Sequence, residues 1–246
     1  MAGTEAFTVN KNDLKSPTNC TSLITGGSSG IGLETAILLH SICPKNNIIV
    51  LDRNPPVSAA PSSLTNSPRF LFQKCDLTSW REQRAGFEAG IEKFGVIDNV
   101  FVNAGIAEYK DQFFKDDMDT EGKLAEPDRR TIEIDMNAAN DTVKLALYHM
   151  RHRKDEKKGG SIVMTASLAG YLASAGAPLY SAAKHGKLSG GTAKNIVNER
   201  RYRRPNASIK ERHRNTQHCH LRCCARYHVD RNHFWEECWR IATRLG

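Results

Sequence analysis

A glycine-rich turn between a short strand and a helix is the feature that most constrains this chain. Residues Thr21–Thr25 predict a strand, and the glycines that follow are spaced Gly26-x-x-x-Gly30-x-Gly32. The next residues, Leu33–Leu39, have the composition and apolar spacing of a helix. A helix N-terminus presents unpaired N–H groups and a partial positive charge, and glycines let a phosphate approach the backbone. The turn therefore predicts a site for the pyrophosphate of a dinucleotide.

An acidic residue at the end of the next strand supports this prediction. Residues Asn47–Asp52 form a continuous apolar run that ends in an acid, as in strands buried on both faces of a parallel sheet. Asp52 follows Gly32 by twenty residues, where a carboxylate can accept hydrogen bonds from the adenosine ribose hydroxyls. This arrangement favours NAD, because a 2′-phosphate would meet a like charge. Arg53 could instead pair with that phosphate, so NADP stays open.

Strands and helices alternate through the first three quarters of the chain. Further strands are predicted at 69–76, 96–102 and 161–166, and helices at 80–94 and from Pro127 toward Met150, with a polar loop at 108–125. A last helix carries Tyr180 and Lys184. The pattern predicts a single α/β domain with a Rossmann-like, doubly wound parallel sheet.

The location expected from the sequence is cytoplasmic. No apolar run approaches the roughly 18 residues that a membrane span needs, and residues 1–17 form a polar N-terminal extension. The seven cysteines are odd in number, which favours free or buried thiols in a reducing compartment.

A tyrosine and a lysine four residues apart form a second constellation. Tyr180 and Lys184 lie on one face of the last predicted helix. A tyrosine in water ionises near pH 10, and a neighbouring ammonium favours the phenolate, which makes the tyrosine a usable acid or base. Ser167 ends the fifth strand, at the edge of the sheet where ligands bind in such folds.

Together these segments resemble the short-chain dehydrogenase/reductase family. The segments that carry the resemblance span about 170 residues in the family's order and are Thr25 to Gly32, Cys75-Asp76-Leu77, Asn103-Ala104-Gly105, Asn137, Ser167 and Tyr180-Ser181-Ala182-Ala183-Lys184. The loop around Phe113 and the helix start at Glu126 also look like a fungal branch related to 15-hydroxyprostaglandin dehydrogenase. Many members of that branch act in secondary metabolism.

The resemblance implies an enzyme that interconverts a secondary alcohol and a ketone by hydride transfer to or from the nicotinamide. Tyr180 would be the acid/base, Lys184 would assist it and hold the nicotinamide ribose, and Ser167 would bind the substrate oxygen. Asn137 would anchor a water of the proton relay. The cofactor, NAD or NADP, would contact Gly26, Ser28, Ser29, Gly30, Ile31, Gly32, Asp52, Asp76, Asn103, Gly105, Tyr180 and Lys184.

The family pattern stops after Gly186. The family's sixth strand, the Pro-Gly that ends it and the helix that commonly forms the subunit interface are not recognisable in 187–246, so the domain predicted at 18–186 is incomplete at its C-terminal end. The homo-oligomer usual in the family therefore lacks its expected interface. Residues 187–246 hold 3 Lys and 11 Arg against 5 acidic residues, a net +9, whereas 1–186 hold 21 basic and 22 acidic residues, a net −1.

Four interpretations of this basic tail stay open. An abrupt change of composition is typical of out-of-family sequence from a reading-frame change or a wrong exon junction. A zinc site has the right ligand types at His213, His218, Cys219, His220, Cys223, Cys224 and His228, but their spacing fits no regular finger, so no metal is predicted. A nucleic-acid-binding segment has the charge without a recognisable module. A divergent family C-terminus is the fourth interpretation, and a cofactor-binding protein with impaired catalysis is the alternative for the whole chain.

Overall fold

Five parallel strands form one sheet in the order β3-β2-β1-β4-β5. The computed structural model describes residues 16–108, 113, 115–155, 159–172 and 176–190. The strands are β1 (Thr21–Thr25), β2 (Asn47–Asp52), β3 (Phe70–Lys74), β4 (Asn99–Val102) and β5 (Ser161–Met164). The predicted doubly wound parallel sheet is confirmed, although the third, fourth and fifth strands are shorter than their apolar runs suggested.

Helices connect the strands. They are α1 (Gly30–Ile42), α2 (Ser62–Thr65), α3 (Trp80–Phe94), α4 (Arg130–Ile132), α5 (Ala139–Arg151) and α6 (Pro178–Gly190), with a 3-10 turn at Leu168–Gly170. The π-helical segment Glu133–Ala138 joins α4 to α5. Within the described ranges, no helix is long and apolar enough to cross a membrane.

The helix expected to begin near Pro127 begins at Arg130 instead. Asp128 explains the difference, because its Oδ1 accepts the backbone N–H of Arg130 at 3.0 Å. Such an Asx-turn keeps the chain out of the helix until the residue that donates the bond. The π-helical segment was not predicted, and it changes which side chains of this region face inward.

Two apolar layers cover the sheet, one on each face. On one face, Leu23 and Ile49 pack with Phe87 of α3 and Met150 of α5. On the other face, the alternate residue of β1, Ile24, packs with Leu33, Ala36 and Leu39 of α1. Because successive side chains of a strand point to opposite faces, the continuous apolar runs of β1 and β2 supply both layers at once. The core thus holds the strand ends in fixed positions.

A buried ion pair joins the chain near the starts of the central strands. The guanidinium of Arg153 lies 2.8 Å from Oδ1 of Asp98, and the two side chains are 6% and 15% exposed. Oδ2 of the same carboxylate accepts the N–H of Thr21 at 2.9 Å, and its backbone C=O accepts the N–H of Ser161. Asp98 therefore links β1, β4 and β5.

Replacing Arg153 with Ala should lower the free energy of unfolding by about 1–3 kcal/mol, because it leaves the Asp98 carboxylate, which is 15% exposed, without its cation. Urea unfolding followed by circular dichroism measures the change. Arg84→Ala is the matched control: its pair with Glu88 is exposed and the closest atoms are 3.7 Å apart, so the loss should stay below about 1 kcal/mol. Equal losses in the two variants would contradict the buried link.

Candidate active site

The turn after β1 and the segment after β4 face each other at the carboxyl ends of neighbouring strands. Gly26 has a φ of +65°, and a Cβ at this residue would lie 2.8 Å from the Cα of Ala104. Only glycine avoids both the backbone strain and the clash. The strand order reverses between β1 and β4, and in open α/β sheets ligands bind at this switch point.

The Asn103 side chain ties three strand ends together. Its Nδ2 donates to the carbonyls of Thr25 and Gly26 at 3.3 and 3.1 Å, and its Oδ1 accepts the hydroxyl of Thr165 at 3.0 Å. The backbone N–H of Asn103 donates to Thr25 Oγ1 at 3.1 Å. These bonds fix the glycine turn against the ends of β4 and β5, so the floor of the site is rigid before a ligand binds.

A cavity of about 630 Å³ opens above this floor. That volume lies within the range of about 300–1,000 Å³ that is usual for small-ligand sites. The predicted residues that line it are Gly26, Ser29, Gly30, Ile31, Asp52, Asp76, Asn103, Gly105, Ser167, Tyr180 and Lys184. Most of the predicted cofactor and acid/base residues thus share one cavity, whereas Ser28, Gly32 and Asn137 do not line it.

Gly32 and Ser28 lie behind the residues that line the cavity. A Cβ at Gly32 would be 2.2 Å from the carbonyl oxygen of Gly26, so this glycine lets α1 pack directly against the turn. Ser28 is 3% exposed, and its N–H donates to Oδ2 of Asp52 at 3.1 Å. Both residues shape the turn, and their contacts with a cofactor stay predictions.

The start of α1 fits a pyrophosphate. Ser29 precedes the helix without a side-chain cap, and the first turn holds no acidic residue. The first N–H groups of the helix are therefore left for a ligand, beside a helix dipole that favours an anion. A Cβ at Gly30 would meet nothing within 4 Å, which leaves open space for a phosphate.

Two of the predicted cofactor residues that line the cavity are carboxylates, Asp52 and Asp76. Asp52 uses Oδ2 for Ser28 and Oδ1 for the N–H of Asn54 at 3.2 Å, and its lone pairs leave room for ribose hydroxyls. Asp76 accepts the hydroxyl and the N–H of Thr78 at 2.8 and 2.9 Å. These bonds, with a smaller contribution from Arg53, hold the pKa of Asp76 below its usual value.

The predicted acid/base residues line the same cavity. The ammonium of Lys184 is 5.1 Å from the ring centroid of Tyr180, which is half-buried. Ser167 Oγ accepts the N–H of Ala169 at 3.2 Å, so its own O–H stays available to donate toward the cavity. Glu108, which sequence reasoning missed, accepts the N–H of Tyr180 at 3.0 Å and fixes the start of α6.

Asn137 is not part of this group. Its side chain is exposed, and its amide donates to Oε2 of Glu133 at 3.0 Å. Two residues earlier, Asp135 is 0% exposed, and its Oδ2 lies 2.8 Å from the Lys184 ammonium. The π-helical segment turns Asp135 inward and Asn137 outward. The structure thus places Asp135, and not Asn137, beside Lys184, and the water-anchoring role given to Asn137 stays a prediction.

A second lysine is buried beside the first. Lys187 belongs to α6, although the sequence placed it at the start of the tail, and its ammonium donates to the carbonyl of Ala104 at 3.3 Å. Burial, and then the charge of Lys184, lower the pKa of Lys187 to about 8, against the opposing effect of Asp135. In the sequence the two lysines are three residues apart, which predicts one face of a helix but does not show that both are buried. The tail from residue 191 onward, with its proposed zinc ligands, lies outside the described residues.

The fold and the cavity define a parallel α/β protein with a serine, a tyrosine and a lysine that line one cavity at the carboxyl ends of its strands. The family model of the short chain dehydrogenases matches residues 21–199. The chain therefore belongs to the short-chain dehydrogenase/reductase family, and the family resemblance seen in the sequence is confirmed.

Curated relatives and solved structures agree with this membership. The chain is 38% identical over 176 residues to short-chain dehydrogenase/reductase ascJ of Acremonium egyptiacum, a match that covers 72% of this chain and 56% of that protein. It is 29% identical over 184 residues to 5′-hydroxyaverantin dehydrogenase of Dothistroma septosporum, covering 67% and 57%. Among structures, levodione reductase matches with a TM-score of 0.57 at 28% identity, covering 70% of this chain and 63% of that one. The chain spans about half the length of the curated relatives that it matches.

Stability should depend on Lys187 above neutral pH. The folded-state pKa of about 8 lies below the ordinary 10.5, so the penalty for burying the ammonium is present below pH 8 and disappears as the pH rises to 10.5. Lys187→Met should therefore raise the free energy of unfolding by roughly 2–3 kcal/mol below pH 8, and its advantage should shrink toward pH 10.5. Urea unfolding of both proteins below pH 8 and near pH 10.5 measures this difference in the free energy of unfolding. Lys144→Met, at an exposed site on α5, should show no such pH-dependent difference.

Proposed function

We propose that this protein binds a nicotinamide dinucleotide in the cavity and interconverts a secondary alcohol and a ketone. The observation that carries the proposal is the shared cavity: the uncapped start of α1 and the Ser167, Tyr180 and Lys184 side chains line the same space. A pyrophosphate at the start of α1 and an alcohol at Tyr180 would share one cavity, as a dinucleotide and its substrate require.

The residues present fit such a cofactor. Gly26, Ser29 and Gly30 would hold the pyrophosphate, Asp52 and Asp76 the adenosine, and Asn103 and Gly105 the channel between them. When bound, the nicotinamide accepts or gives a hydride at the substrate carbon. Lys184 would also hold the nicotinamide ribose by donating to its hydroxyls.

The protein's own part is the proton at the substrate oxygen. In the oxidation direction the Tyr180 phenolate takes the proton of the alcohol, and in reduction the phenol returns it to the carbonyl oxygen. Lys184 holds its ammonium beside Tyr180, 5.1 Å from the ring centroid. The free O–H of Ser167 donates to the same oxygen and stabilises the charge that develops there. Tyr180 would thus move the proton, Lys184 would supply the positive charge, and Ser167 would orient the substrate oxygen.

The substrate proposed is a small-molecule alcohol or ketone. Similarity to 5′-hydroxyaverantin dehydrogenase and levodione reductase supports this substrate class. We also propose a role in secondary metabolism and membership of the fungal branch related to 15-hydroxyprostaglandin dehydrogenase. A cytoplasmic location is part of the same proposal, whereas the homo-oligomer usual in the family lacks its expected interface in residues 187–246.

A second candidate function is cofactor binding with little turnover. It is favoured by the composition after Gly186, where the substrate wall expected from the family is not recognisable in the sequence. Calorimetric titration with NADH separates the two: saturable binding without turnover on a panel of secondary alcohols supports the second candidate. Binding to nucleic acid through the tail concerns residues 191–246, which are not described.

Tyr180→Phe should reduce turnover by at least about 100-fold, because the ring stays and the proton donor is lost. NADH affinity should be unchanged. Turnover is followed by the absorbance of NADH, and affinity by calorimetry. Tyr148→Phe is the control, since Tyr148 is 51% exposed on α5 and away from the cavity. A Tyr180→Phe protein that keeps most of its activity would rule out this acid/base.

Asp52→Ala should weaken the preference for NADH over NADPH by about tenfold, because it removes the charge that would repel a 2′-phosphate. The ratio of the two dissociation constants is the quantity to measure, since loss of the bond to Ser28 can weaken both cofactors equally. Glu92→Ala, an exposed acid of α3, is the control. An unchanged ratio would mean that Asp52 does not choose the cofactor.

A further inference from the structure

A fully buried carboxylate lies next to the catalytic lysine. Asp135, in the π-helical segment, is 0% exposed, and its Oδ2 is 2.8 Å from the ammonium of Lys184, whose side chain is 4% exposed. An ionised carboxylate in such a place needs a cation or several donors to offset its lost hydration. Lys184 is the cation, so two charges of the site are buried as a pair.

The surroundings hold Asp135 in one orientation. Its Oδ1 accepts the backbone N–H of Ile106 at 2.7 Å, in the segment after β4. A Cβ at Gly105 would lie 2.8 Å from Oδ2, so the absence of a side chain there allows the carboxylate to approach. The carboxylate is therefore fixed from the sheet side by the backbone and from the α6 side by the lysine.

We infer that Asp135 is a positioning residue of the reaction: it holds the Lys184 ammonium beside Tyr180, and its charge sets the pH range in which Tyr180 works. The inference rests on the proposed function, in which Tyr180 moves the proton. Asp135 does not line the cavity, so it acts through Lys184 and not on the substrate.

The charges around the pair are few and have clear positions. Lys184 and Lys187 face Asp135 from α6, and the Lys187 ammonium donates to Ala104 O. The segment after β4 contributes the Ile106 N–H and Glu108, which is bonded to the N–H of Tyr180. On the helix that carries Asp135, Glu133 is exposed and bonded to Asn137, and Arg130 of α4 is exposed and paired with Asp128. Among the described residues, Asp135 is thus the carboxylate that pairs with Lys184 and also acts on the charge of Lys187.

The sign of the effect follows from this arrangement. The carboxylate stabilises the ammonium of Lys184 and opposes formation of a phenolate at Tyr180. An amide at position 135 keeps an acceptor for Ile106 and removes the charge. The Lys184 ammonium would then act on Tyr180 unopposed, and it would also lose its proton more easily. Both changes move the active range toward lower pH.

The experiment is the pH profile of alcohol oxidation by the full-length Asp135→Asn protein. The rising limb should move to lower pH by about one unit, and the falling limb should move the same way. Glu133→Gln removes an exposed carboxylate from the same helical segment and should leave the profile in place. Lys187→Met removes a positive charge, and the rising limb should move to higher pH. A lower rate with an unmoved profile in Asp135→Asn would mean a structural role only and would overturn the inference.

A second measurement separates this inference from the proposed function. The near-ultraviolet absorbance of the phenolate, taken as the difference between proteins with and without the Tyr180 hydroxyl, reports ionisation of Tyr180 without any turnover. A shift to lower pH in Asp135→Asn supports the inference even if no alcohol is oxidised, and in that case the proposed function alone fails. Turnover that is normal in wild type, with no shift of the phenolate signal in the variant, overturns the inference and leaves the function standing. Saturable NADH binding by the variant confirms that it is folded.

Discussion

The contacts of one amide hold the whole site in place. Asn103 joins the end of β4 to the glycine turn after β1 and to Thr165 after β5, so three strands meet through a single side chain. Everything that the site needs depends on this junction: the close approach of Gly26 to Ala104, the open start of α1, and the position of the segment that reaches Asp135. The sheet supplies rigid strands, and Asn103 fixes the spacing of their ends.

On the α6 side of the site, the main constraint is the cost of burying charged side chains. Helix α6 places Tyr180 at the cavity and Lys184 and Lys187 inside the protein, one helical turn apart. Such a helix is unfavourable unless an anion offsets its cations, and the carboxylate of Asp135 is that anion. The same groups that would tune a proton transfer thus also decide whether α6 can pack against the π-helical segment.

The fold was largely predictable from the sequence, because its signals are local. The apolar runs of β1 and β2 and the periodicity of α3 fixed their bounds, since buried strands and amphipathic helices need those patterns. The site was less predictable. Asn137 was chosen by residue type and resemblance, whereas the wide π-helical turn rotates the buried side of the helix onto Asp135. The sequence signal for Asp135 was its spacing, because it lies four residues from both Thr131 and Ala139, which are buried on the same helix.

The order of the strands also has a consequence for the newly made chain. Strand β1 is central, and one of its two partners is β4. Ser22 of β1 pairs with Asn99 of β4, and these two residues are 77 positions apart in the sequence. No hairpin can bury β1 early, because parallel neighbours are joined only through long crossovers. As the chain leaves the ribosome, an apolar strand must wait in water until β4 has been made. During that interval the exposed apolar strand is a site at which aggregation can begin.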